Sequence, residues 1–88
     1  MTDTKDLQAE AQRGEAAQAL RDNQLFVDSI GLVKARYLDM WKATSPDDVQ
    51  TRERCFIAMS VAEEFFNELN VIIANGAMAR SNLKKAQR

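Results

Sequence analysis

Histidine is absent from the 88 residues, and cysteine, proline and glycine number one, one and three. Without histidine the chain lacks the commonest general base, the commonest metal ligand and any Ser-His or Cys-His nucleophile pair. So few glycines and prolines leave too few turns for a many-stranded β-domain and exclude collagen, a flexible linker protein or a Pro-rich adaptor. One thiol makes no internal disulfide. Cys55 sits in the apolar run Cys55-Phe56-Ile57-Ala58-Met59 and reads as a small buried hydrophobe in a reducing compartment. That run and Val71 to Ala74 are the longest unbroken apolar stretches, against the ~20 residues that a membrane span needs. Nor does the polar start Met1-Thr2-Asp3-Thr4-Lys5-Asp6 read as a signal peptide.

What is present is ordinary in amount: 45% apolar residues, 28% charged residues and a net charge of −1. The length suits a single helical domain over 1–88. The charge is unevenly placed. Residues 76–88 carry Arg80, Lys84, Lys85 and Arg88 and no acid, whereas residues 1–22 and 23–75 are each net acidic. Only this end has a positive field of its own.

The apolar periodicity predicts an all-α fold with a long antiparallel helical hairpin. Residues 4–21 are rich in Ala, Gln and Glu, good helix formers. Leu7 and Leu20 are the only larger anchors, so 1–22 reads as a weakly anchored N-terminal helix. Asn23 then offers an N-cap. From 24 to 43, Phe26, Ile30, Val33, Tyr37, Met40 and Trp41 recur at helical spacing, with Gly31 inside the run. In Thr44-Ser45-Pro46-Asp47-Asp48, Ser45 reads as an N-cap, Pro46 as the first helical residue, and the two aspartates as first-turn acids facing the helix dipole. A connection this short makes its two helices antiparallel neighbours. The next helix is predicted over 46–75, with Gly76 as a left-handed C-cap. Residues 23–76 thus form the hairpin core, and 77–88 form a short basic helix or tail.

The third helix carries two apolar stripes. One runs through Val49, Phe56, Met59, Ala62, Phe66, Leu69 and Ile73; the other through Ile57, Val61, Phe65 and Ile72. A single hairpin partner covers one stripe. Phe26, Ile30, Val33, Tyr37, Trp41, Phe56, Met59, Phe66 and Leu69 are the expected internal core. Burying a large apolar side chain is worth ~1.5–3 kcal/mol, so the second stripe calls for a cover. The first segment has too few large side chains to supply it. Self-association through Ile57, Val61, Phe65 and Ile72 is therefore expected, in preference to a three-helix monomer.

Other features have plainer readings. Tyr37 and Trp41 lie on the core stripe, without the interleaved cations of a base-stacking surface. Glu63, Glu64 and Glu68 form a solvated acidic face, because a di-metal bundle site would also require histidine. Arg52 and Arg54 could pair with Asp39 across the hairpin or with Asp48. Small helical chorismate mutases share an acidic loop followed by Arg-Glu, as in Asp47…Arg52-Glu53. The long Arg-punctuated first helix of those enzymes is missing here, and that class is the most distant alternative. The cations Arg80, Lys84, Lys85 and Arg88 suit a helix C-terminus. They also suit a weak, salt-dependent contact to nucleic acid or an acidic partner. No catalytic, cofactor-binding or metal-binding residues stand out.

Four runs together resemble a known group: Arg21-Asp22-Asn23-Gln24-Leu25-Phe26, Trp41-Lys42-Ala43-Thr44, Asp48…Arg52-Glu53-Arg54 and Asn75-Gly76-Ala77-Met78-Ala79. Over about residues 20–80 the chain resembles small helical proteins of tailed bacteriophages and prophages, whose genes lie among those for packaging and virion structure. The resemblance implies a non-enzymatic, homo-oligomeric role in a virion or its assembly, located in the particle or the host cytoplasm. It implies contacts with other virion proteins, no membrane and no cofactor. A DNA-packaging factor akin to a small terminase subunit is the alternative. The resemblance transfers no functional residues.

Overall fold

The computed structural model describes residues 3–86. It is all-α, with helices α1 (Thr4–Arg21), α2 (Gln24–Ala43) and α3 (Val49–Ala86). The first two have 18 and 20 residues, together matching the 38 of α3. That equality describes the architecture. α1 and α2 follow one another along one side of α3 and run antiparallel to it. Glu15 of α1 faces Arg80, Arg21 donates to Asn70 Oδ1, Phe26 of α2 meets Phe66, and Trp41 meets Arg52. The result is a plank of 63 × 28 × 14 Å, two helices wide and one helix thick.

Local chemistry sets the breaks. Asp3 Oδ1 caps α1 by accepting the Lys5 N–H at 3.5 Å. Asp22 stays helical, and its N–H bonds the Gln18 carbonyl at 2.9 Å. Asn23 is extended, and its Oδ1 accepts the Phe26 N–H at 3.0 Å, which starts α2 as the sequence predicts. One extended residue therefore breaks the helix without turning the chain away from α3. At the hairpin tip, Thr44 ends α2: its N–H and Oγ1 both donate to the Trp41 carbonyl, at 3.2 and 2.6 Å.

The tip corrects one expectation. α3 begins at Val49 rather than Pro46. Ser45 to Asp48 close a turn, with the Asp48 N–H on the Ser45 carbonyl at 2.9 Å. Pro46 takes the second turn position, where its fixed φ is favoured. The capping atom is Asp48 Oδ1, which accepts the Thr51 N–H at 3.2 Å, rather than the Ser45 hydroxyl.

Gly76 supplies a second correction. It is not a left-handed cap, since no glycine has a positive φ among the described residues. α3 passes through it and continues to Ala86, so 77–86 are helix and no separate tail. Gly76 is buried against Gly14 of α1. A Cβ on Gly14 would lie 2.7 Å from Gly76 Cα, and one on Gly76 would lie 2.6 Å from Gly14 Cα. Ala11, Ala17 and Ala79 are buried beside them. The small residues of α1, which read in the sequence as weak anchors, let two backbones touch.

The seam of α3 runs through Cys55, Ala62, Leu69, Gly76 and Leu83 at seven-residue intervals, all buried or half-buried. Cys55 is only 1% exposed, as its apolar setting suggested. Phe56 was expected in the core but is 64% exposed. It follows Cys55 by about 100° around the helix and is turned aside. Val33, also expected inside, is 38% exposed. Phe26, Ile30, Tyr37, Trp41, Met59 and Phe66 are half-buried, and Leu69 is buried.

Candidate interaction face

A plank has two broad faces, and here they differ. The Lys34–Glu63 ion pair, at 3.4 Å, straps α2 to α3 on one of them. The guanidinium of Arg52 is also there, 3.9 Å from the centre of the Trp41 ring, while its Nη1 donates to Thr44 Oγ1 at 3.1 Å. Neither Asp39 nor Asp48 is its partner, contrary to the pairing the sequence suggested. Arg54 lies two residues on, about 200° round α3, so the two arginines do not converge on one site. Beside them at the tip is a shallow open concavity of about 450 Å³, lined by Trp41, Pro46, Val49, Arg52, Glu53 and Phe56.

The opposite face carries an apolar run between two charges, Arg54 and Glu68. Ile57, Val61 and Phe65 follow one another at four-residue spacing along α3 and are 52%, 57% and 47% exposed. Phe65 touches α2 through Phe26, with ring centroids 5.8 Å apart. Phe26 lies across both Phe65 and Phe66, and so marks the edge where the core opens onto this face. From α2 come Val33 and Met40, seven residues apart and both exposed. Halfway between the Phe26–Phe66 and Trp41–Arg52 contacts, Val33 stands level with Met59. Completing the burial of Ile57, Val61 and Phe65 would add about 1 kcal/mol for each.

Of the four residues the sequence proposed for self-association, the structure thus groups Ile57, Val61 and Phe65 in the open. Ile72 is half-buried instead. Its carbonyl lies 3.3 Å from where a Gly14 Cβ would be, so it falls beneath α1. Val33 was expected in the core, and Met40 was read on the same apolar stripe of the second helix. Their seven-residue spacing does place them on one line, but only the position of α3 shows that the line lies beside the seam. α1 covers only the Ile72 end of the second stripe, because it packs further along α3.

Arg80, Lys84 and Lys85 lie on the last turns of α3 and are exposed. Arg80 Nε is drawn to Glu15 Oε1 at 4.0 Å. Arg88 lies outside the described residues. Of the acidic cluster, Glu63 pairs with Lys34, while Glu64 and Glu68 are exposed. Among the described residues no three His, Cys, Asp or Glu side chains gather as a metal site would require, and no helix is long and apolar enough to cross a membrane. No protein-family model matches the chain, and neither a curated protein nor a solved structure does.

Proposed function

We propose that this chain is a non-enzymatic structural or assembly protein that acts by protein–protein contact and self-associates through the Ile57–Val61–Phe65 face. The observation that carries this reading is the exposed apolar run of Ile57, Val61 and Phe65 on α3 beside Val33 and Met40 on α2. The bacteriophage setting, as a component of a virion or of its assembly, rests on the sequence resemblance. Light scattering behind a sizing column tests self-association. The expected result is a defined oligomer that persists in high salt. A Val61→Glu/Phe65→Glu double variant is expected to keep its helical circular dichroism and to fall to 9.9 kDa, the mass of one chain. A wild-type protein that is monomeric at all concentrations refutes the proposal.

The packaging reading draws on the exposed Lys84 and Lys85 at the end of α3. Removing the helix beyond Gly76 would also remove the surface on which α1 lies, so substitution is the better test. Retention of duplex DNA at about 50 mM salt, lost in Lys84→Ala/Lys85→Ala, would support that reading.

A further inference from the structure

We propose that the apolar face docks on a second copy of this chain in one arrangement: two hairpins stacked face to face, their α3 helices antiparallel, about a two-fold axis that passes Val61. This inference rests on the self-association reading and specifies its geometry.

Three observations support it. The first is area. The chain exposes 6779 Å², whereas a folded monomer of this mass exposes about 5,200 Å². The excess of roughly 1,600 Å² belongs to the whole 63 × 28 × 14 Å plank and is large enough to supply the area each partner of an obligate homodimer buries, about 1,000–2,500 Å². The second is the symmetry of the face about Val61. Ile57 and Phe65 lie four residues before and after it, and Arg54 and Glu68 lie seven before and after. Seven residues are about two turns, so Arg54, Val61 and Glu68 fall on one line along α3. Reversing that line end to end lays Ile57 on Phe65 of the partner subunit and Arg54 on Glu68 of the partner subunit, twice over. A parallel in-register pair would set like charge on like.

The third is that these two charges are open to a partner. Arg54 and Glu68 are exposed, and neither joins an ion pair among the described residues. The residues three and four positions from Arg54 are Gln50, Thr51, Ile57 and Ala58, none of them acidic. Those around Glu68 are Glu64, Phe65, Val71 and Ile72, among which the only charge is like. Along α3 the axis carries Val49 to the level of Ile73. Each copy therefore contributes α2 and residues 49–73 to a four-helix layer, with Val33 near its centre. α1 and the end of α3 extend beyond it at opposite ends.

Charge reversal tests this arrangement on the full chain. Arg54→Glu and Glu68→Arg are each expected to weaken the dimer about tenfold at low salt, with unchanged helicity. The double variant Arg54→Glu/Glu68→Arg is expected to return to within about threefold of wild type. In a Cys55→Ala background, Val61→Cys is expected to form an intermolecular disulfide under mild oxidation, while Ser81→Cys on the projecting arm is not. A stable oligomer in which the double variant fails to recover, or in which Val61→Cys does not cross-link, overturns this geometry and leaves self-association standing. A monomer at every concentration overturns both.

Discussion

The two halves of α3 are packed by opposite means. Toward its C-terminal end, α1 presents Ala11, Gly14 and Ala17, and the helices close until Gly14 and Gly76 are in backbone contact. Toward its N-terminal end, α2 presents Phe26, Tyr37 and Trp41, none of which is fully buried. Small side chains add little apolar area for each residue, but they let the seam close completely. Large ones hold α2 on α3 and reach both faces, Phe26 toward Phe65 on one and Trp41 toward Arg52 on the other. Tightness and stickiness thus differ along one helix: the α1 arm is closed at its seam, where Gly14 meets Gly76, and the α2 arm leaves Ile57, Val61 and Phe65 open on one face.

This contrast can be broken first at the crossing. Gly76→Leu is expected to cost at least about 3 kcal/mol, because its side chain meets backbone that cannot give way. Amide exchange should show protection lost across α1 while α2 keeps its own. Gly76→Ala should cost less, roughly 1–2 kcal/mol, since the gain in helix propensity offsets part of the clash. The α2 arm should respond in proportion to burial. Phe26→Ala is expected to lower stability by about 2 kcal/mol, and Phe56→Ala by less than about 0.5 kcal/mol, in urea unfolding at one fixed protein concentration. Equal losses at the two positions would erase the distinction between seam and flank. The smallest effect has the opposite sign. Nothing lies within 4 Å of a Cβ placed on Gly31, so Gly31→Ala should stabilise by about 0.5–1 kcal/mol, seen as a rise in the urea midpoint.

The bounds of α1 and α2 were legible because their signals are local. Asn23 caps with its own side chain, and the alanine-rich and apolar runs stop where the helices do. The end of α3 was not legible, because a glycine in a helical pattern has two readings. A terminus and a close crossing differ only in what stands opposite, and Gly14 is remote in sequence. The start of α3 slipped because Pro46 suits a turn as well as a first helical residue. On the candidate face, spacing placed Ile57, Val61 and Phe65 on one stripe. It could not separate Phe56 from Cys55, because a stripe of two adjacent residues covers more of the helix than a single neighbour can. Which of the two is inside depends on the azimuth of α2, and spacing along one helix carries no such information.

The pairing of a broken helix with an unbroken one also orders the protein's assembly in time. Contacts near the tip, such as Trp41 with Arg52, join residues close in the chain, and the separation grows steadily from there to Gly14 and Gly76. Closing a short loop costs less entropy than closing a long one, so the hairpin zips from Ser45–Asp48 outward. α1 is made before either helix it could rest against, and its docking surface is the last of α3 to be made. The contacts of α1, the close Gly14–Gly76 crossing among them, are therefore the late ones to form.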